Sequence, residues 1–223
     1  MNHNSNTALE ILGRLRSKYP EPATALSWET PWQLLAATML SAQCTDKQVN
    51  KVTPVLFNSW PDPASLSQAD PEQLQEIIRP VGFFRTKARN LLDTANILVR
   101  DFRGQVPASM EELLLLPGVA RKTANIVLYN AFGLNLGIAV DTHVQRISLR
   151  LGLTRAGSPG SLEQDLMKIF PSQEWGALNH MLVWFGREVC RAIKPMCARC
   201  FLADICPMGI ELSSNINATT HHV

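Results

Sequence analysis

The sequence predicts an all-α protein. Helix-start signals recur along the chain, and behind each comes a run of apolar residues at helical spacing. Alternating apolar–polar stretches flanked by turn dipeptides, the mark of strands, are nearly absent. Glycine and proline gather between the runs.

The elements follow in order. Thr30-Pro31-Trp32-Gln33 places a capping Thr, a Pro at the first helical position and Gln at the third, ahead of Leu34, Leu35, Thr38 and Met39. Pro61-Asp62-Pro63 breaks the pattern, and Asp70-Pro71-Glu72-Gln73 starts it again. Pro80-Val81-Gly82 precedes a long run that includes Leu91, Leu92, Ala95 and Leu98. Capping boxes stand at Ser109 to Glu112 and at Ser161 to Gln164, the second after a break at Gly157-Ser158-Pro159-Gly160. The expectation is eight to ten helices with short connections, no clear repeat, and a polar, disordered tail from Ser213.

Composition removes several classes of function. The chain has 223 residues, 46% hydrophobic and 18% charged, which suits a packed core and argues against global disorder. No apolar run approaches a membrane span, and MNHNSNTALE lacks the basic-then-apolar pattern of a signal peptide. A soluble cytoplasmic protein is expected, monomeric for want of any oligomeric signal, in which disulfides are rare. With 21 Lys and Arg against 19 Asp and Glu, the net charge of +2 does not announce a nucleic-acid binder, so any basic surface must be local.

The cysteines therefore need another use. Cys190, Cys197, Cys200 and Cys206 form C-x6-C-x2-C-x5-C, followed by Pro207. Four thiolates in one short segment suit a single metal site. A [4Fe–4S] cluster takes four Cys, often ending in Cys-Pro. Structural zinc more often shows two C-x2-C-like pairs, and only one such pair is present, which favours the cluster. Arg187, Arg191, Lys194 and Arg199 surround these positions, so a stapled loop could present cations to phosphates. The plainer alternative is a solvated charged surface around a structural staple. Cys44 stands alone and reads as a small buried hydrophobe.

A second signal is Leu116-Pro117-Gly118-Val119-Ala120-Arg121-Lys122-Thr123-Ala124. An apolar helix over Glu111 to Leu116 ends at Pro-Gly, and a second begins near Ala120. The free N–H groups of the second helix then make a site for a backbone phosphate, read without sequence preference. By itself such a turn is better explained by structure alone. Lys122 shifts the balance, because the positive helix end disfavours an ammonium there, and partial burial would do so further. A neutral amine is what a nucleophilic lysine needs. No carboxylate occurs from Leu113 to Val140, and the next acid is Asp141 in Val140-Asp141-Thr142-His143-Val144. Asp141 also fits a plain helix N-cap ahead of Val144, Ile147, Leu149 and Leu151.

Together, LPGVARKTAN, VDTHV, the four-cysteine pattern and Leu40-Ser41-Ala42-Gln43-Cys44-Thr45-Asp46 resemble the endonuclease III family of helix-hairpin-helix DNA glycosylases, from about residue 8 to about residue 211. The resemblance implies a six-helix barrel over 24–134 and a discontinuous domain over 1–23 and 135–212 that carries the iron–sulfur cluster loop. Double-stranded damaged DNA would bind across the cleft between them, in a bacterial-type, nucleoid-associated setting. It also implies a bifunctional glycosylase and abasic-site lyase acting on oxidised pyrimidines such as thymine glycol. Lys122 matches the nucleophile and Asp141 the catalytic carboxylate. Gln43 matches a plug for the space left by the extruded base, and Phe83 an apolar wedge. Asp46, Val81, Gly118, Ala120, Arg121, His143, Arg146, Arg191 and Lys194 fall at expected DNA-contacting positions. Cys190, Cys197, Cys200 and Cys206 match the ligands of the [4Fe–4S] cluster.

One position departs from the pattern, since Ala120 replaces the second glycine of the usual hairpin. A left-handed backbone there would penalise Ala, whereas a helical one would not; the expectation is helical. Arg79, Arg85, Lys87 and Arg89 lie beside the wedge without a carboxylate between them, and Arg146 and Arg150 follow Asp141, all read as cations facing the substrate. Adenine-removing mismatch glycosylases share the fold but use an acid in the helix before the plug; residues 35–40 have none, and little chain follows the cysteines. A non-catalytic hairpin module would need neither Lys122 nor Asp141, and an iron–sulfur electron carrier would need no hairpin.

Overall fold

The protein is described here by a computed structural model covering residues 2–210. Up to Arg199 the described residues form eleven α-helices and three short 3-10 turns, residues 207–210 are helical as well, and no strand occurs among the described residues. The described residues divide into two compact units, residues 24–134 and residues 2–23 with 135–210.

In the first unit, α2 (Pro31–Leu40) has eight of ten residues buried and packs against α3 (Asp46–Ser59), α6 (Phe84–Phe102) and α8 (Arg121–Phe132). A helix apolar on every side belongs at the centre of its unit. Its start is fixed as the sequence suggests, by Pro31 in the first turn and by Thr30 accepting from the Gln33 N–H at 3.2 Å. Short α4 (Pro63–Ser67) and α5 (Pro71–Ile78), capped by Asp62 and Asp70, pack against α6. Leu34, Leu35, Leu40, Leu56, Leu66, Leu74, Leu91 and Leu98 form a dry centre.

In the second unit, α1 (Asn2–Lys18) packs against α10 (Pro159–Ile169) and α11 (Trp175–Glu188), and α11 packs against α9 (Thr142–Arg150). The last contact is close. A Cβ at Gly186 would lie 2.5 Å from His143 Nδ1 and 2.9 Å from Ile147 Cδ1, so only glycine fits there. Beyond α11 the chain leaves regular structure for the cysteine loop, which includes a 3-10 turn at Cys197–Arg199.

Three expectations change. The helix before the hairpin, α7, spans only Met110–Leu113, after which i→i+3 bonds from the Leu115 and Leu116 N–H groups tighten the chain into the turn. The cap of α10 is Ser158, not Ser161: Ser158 Oγ accepts from the Ser161 N–H and Pro159 opens the helix, the same device as Thr30-Pro31. Two very short helices, α4 and α7, take the number above ten. The polar tail from Ser213 lies outside the described residues.

Candidate active site and cysteine loop

The hairpin joins α7 to α8. Gly118 has φ +77°, and a Cβ there would stand 2.6 Å from Asn90 Nδ2. Both backbone and space therefore demand glycine. Thr94 Oγ1 donates to the Pro117 carbonyl at 3.2 Å, so α6 holds the turn from below. Ala120 is the N-cap of α8 with φ −96° and ψ 169°. That is extended backbone, neither the helical one expected nor the left-handed one that would penalise Ala. The Ala120 side chain offers no acceptor to the first turn of α8, whose N–H groups remain suited to an anion.

Lys122 is the second residue of α8 and is exposed, so the burial considered from sequence is not what holds it. Arg121 beside it is also exposed. The buried lysine is Lys87, only 7% exposed. Its ammonium donates to the carbonyls of Leu40 at 2.9 Å and Val81 at 3.0 Å. Burial pushes its pKa below the ordinary lysine value, an effect that nearby Cys44 partly offsets. Lys87 is therefore an internal tether and not the phosphate-facing cation read from sequence. A period-3.6 count would have flagged it, because it lies one turn from buried Leu91 on the same face of α6.

Two of the four non-glycine residues with positive φ among the described residues are the expected plug and wedge, Gln43 at +52° and Phe83 at +47°. Both side chains are exposed, Phe83 by 67%. They line one cavity of about 230 Å³ together with Met39, Ala42, Thr86, Lys87, Asn90 and Gly118. Val81, expected at the DNA, is instead buried in the core and presents its carbonyl to Lys87. Asp46 is the first residue of α3, half-buried behind the Thr45 cap. Cys44 is half-buried against the core, close to the hydrophobic reading made of it.

In the other unit, Asp141 is the N-cap of α9. One oxygen accepts from the His143 and Val144 N–H groups, both at 2.8 Å, which fixes the orientation of the carboxylate. Arg146 and Arg150, one turn apart on α9, face the cysteine loop. Arg146 Nη2 donates to the Cys190 carbonyl at 3.0 Å and lies 3.2 Å from His143 Nδ1. Arg150 donates to the carbonyls of Arg191 at 2.7 Å and Ala192 at 2.9 Å, and to Cys190 Sγ at 3.4 Å. These two arginines were expected at the substrate; both guanidinium groups are engaged on their own loop. His143 is half-buried against Gly186, whereas Arg191 and Lys194 are exposed on the arch that Arg150 supports.

Cys190, Cys197, Cys200 and Cys206 line one pocket of about 20 Å³ walled by Leu151, Phe185, Val189, Met196 and Met208. Burial, then the neighbouring thiols, push the pKa of Cys197 up; burial does the same to Cys200. The Leu202 N–H donates to Cys200 Sγ at 3.4 Å. Four sulfurs around a dry pocket, with N–H groups aimed at two of them, fit a cysteine-ligated iron–sulfur cluster.

A glycine-turned hairpin ahead of an open helix N-terminus, with an exposed lysine in its first turn, defines a helix-hairpin-helix element suited to an anion. The family model for HhH-GPD superfamily base excision DNA repair proteins matches residues 36–172. Endonuclease III of Synechocystis sp. is 52% identical over 200 residues, 90% of this chain and 91% of that protein. Endonuclease III of Escherichia coli (strain K12) is 39% identical over 203 residues, 91% of this chain and 96% of that protein. Among solved structures, a non-covalent endonuclease III–DNA complex and a trapped endonuclease III–DNA covalent intermediate each align with TM-score 0.89 and 40% identity, covering 94% of this chain and 98% of theirs. A thermostable thymine-DNA glycosylase shares the fold at TM-score 0.83 and 20% identity. The chain belongs to the endonuclease III family within the HhH-GPD superfamily, and it is an enzyme of base excision DNA repair.

Proposed function

We propose that this DNA glycosylase and abasic-site lyase excises oxidised pyrimidines, such as thymine glycol, from duplex DNA and then breaks the strand. The observation that carries the reading is Lys122, exposed in the first turn of α8 just beyond the phosphate-binding turn of Gly118. A backbone phosphate on the α8 N-terminus would bring the neighbouring sugar to the lysine.

The chemistry follows from an amine nucleophile. The damaged nucleotide first leaves the stack, at a cost of about a few kcal/mol that is lower for a damaged base. Phe83 would enter the gap as wedge and Gln43 as plug. The Lys122 nitrogen lone pair forms a bond to C1′, the glycosidic bond breaks, and the base departs with the electron pair and a proton. Loss of the amine proton and opening of the sugar ring give an imine. Removal of the 2′ proton then sends electrons toward C3′, the C3′–O bond breaks, and the phosphate leaves; water finally frees the lysine. The fixed carboxylate of Asp141 would balance positive charge building on the sugar and accept the lysine's proton.

The four cysteines would hold a [4Fe–4S] cluster, whose iron–sulfur bonds tie four points of the loop into one rigid arch. Arg191 and Lys194 on that arch, together with Arg79, Arg85, Arg89 and Arg121, would meet phosphates. His143 and Arg146 would act at one remove, by holding that arch. The enzyme would work as a monomer in the cytoplasm; no helix among the described residues is long and apolar enough to cross a membrane.

Borohydride reduction in the presence of a thymine glycol duplex tests the reading. A covalent adduct in the native protein that is lost in Lys122→Ala is expected. Intact DNA binding with no adduct would overturn the lyase and leave a monofunctional or non-catalytic protein.

A further inference from the structure

We propose that Lys87 is a positioning residue whose buried ammonium holds the two DNA-inserting side chains, Gln43 and Phe83, in the backbone conformations from which they enter the double helix. The proposal rests on the glycosylase reading above.

Gln43 and Phe83 belong to different segments, the loop after α2 and the turn before α6. Each sits in left-handed backbone, φ +52° and +47°, which residues other than glycine seldom adopt. Such a conformation persists only where the surroundings impose it. Arg103, another residue of this kind, is simply the C-cap of α6. Gln43 and Phe83 share something different. The carbonyl three residues before Gln43, that of Leu40, and the carbonyl two residues before Phe83, that of Val81, both accept from the same ammonium.

That ammonium is well placed to be the tie. Leu40 is the last residue of α2, where carbonyls lack helical partners and a cation is favoured. Val81 closes the 3-10 turn Arg79–Val81, immediately before Gly82 and Phe83. The two loops border a cavity of about 230 Å³, so space lies where direct support between them could have been. On the same face of α6 as Lys87, Thr94 bonds the Pro117 carbonyl and Asn90 lies close against Gly118, filling the space a Cβ there would need. One stripe of α6 thus sets the plug, the wedge and the phosphate-binding turn in mutual register. Removing the Lys87 ammonium would orphan two buried carbonyls and free both loops to leave their strained conformations.

A single-stranded abasic oligonucleotide needs no base extruded and so separates the inference from the reading beneath it. Cleavage of that oligonucleotide by native protein, lost in Lys122→Ala, establishes the lyase whatever Lys87 does. Lys87→Met should then cleave the single strand within about twofold of native and a thymine glycol duplex at least tenfold more slowly. A 2-aminopurine placed beside the lesion should show a matching loss of the fluorescence rise that reports unstacking. In the Gln43→Gly/Phe83→Gly background, Lys87→Met should add no further duplex-specific loss. Equal losses on both substrates, or the same duplex loss in that background as in native protein, would overturn the proposal. Lys87→Gln, which keeps an N–H donor, is read by the same ratio if Lys87→Met does not fold. Failure of both to fold cooperatively would make Lys87 a residue of core stability and sink the positioning role.

Discussion

The two units are held together by different means. Residues 24–134 close around α2 with an apolar centre, into which Thr38, Lys87 and Thr94 enter with their polar ends on backbone carbonyls. The second unit has an apolar helical part, but its cysteine loop is fastened by arginines. Arg146 and Arg150 grip its first half, and Arg14 donates to the Phe201 carbonyl at 2.9 Å and pairs with Asp204 at 2.6 Å. Phe201 and Leu202 are its main apolar anchors, so directed bonds carry much of the hold on this segment and its stability hangs on few points. The packed centre of the first unit would survive the loss of any one polar contact, even where the loops tied by Lys87 move; the cysteine loop would not keep its shape.

The largest test of this difference is removal of one of the four cysteines proposed to hold the cluster. Cys200→Ala is expected to abolish the visible absorption of the cluster and to speed amide exchange across residues 190–210, while the core of residues 24–134 keeps its protection. Equal loss of protection in both units would break the comparison. Glycine substitution sharpens it. Gly118→Ala strains a left-handed turn and drives a Cβ toward Asn90, and Gly186→Ala wedges α9 from α11. Each should cost roughly 1–3 kcal/mol in denaturant titration. Gly118→Ala should weaken DNA affinity beyond its effect on stability, whereas Gly186→Ala should loosen the arch that carries Arg191 and Lys194. Ala120→Gly should leave DNA affinity within about twofold and lower stability by about 0.5 kcal/mol, since extended backbone suits Ala and glycine adds disorder to the unfolded chain.

The smallest effect concerns pH. The Ser65 N–H and hydroxyl, at the start of α4, hold the Asp62 carboxyl below its ordinary value. A lowered carboxylate pKa gives stability that is complete above the unfolded value and fades as pH falls through the folded one. Asp62→Asn should therefore lower the neutral plateau slightly and converge on the native curve in acid, which flattens the acid limb. A difference confined to acid pH would contradict that sign.

The helices, their proline-led starts and the four cysteines were legible because each is a local pattern. The hairpin was legible because Gly118 must be glycine for a local reason, its backbone. What escaped the sequence is long-range. Lys87 sits in a run of cations and reads as one more of them; only folding shows its ammonium beneath Leu40 and Val81, 47 and 6 residues away. Arg146 and Arg150 follow Asp141 and suggested a substrate-facing pair, yet their partners lie 40 or more residues downstream. Ser158 was passed over because Pro-Gly after it looked like a break, although proline is at home in the first turn of a helix.

The contrast between two lysines is the sharpest point of the account. Lys122 is exposed at a helix N-terminus and is assigned the chemistry; Lys87 is buried and is assigned the support. Peptide mapping of the borohydride-reduced protein–DNA adduct decides between them directly. The account predicts the sugar remnant on Lys122 and none on Lys87. A remnant on Lys87, or an adduct of undiminished yield in Lys122→Ala, would contradict it.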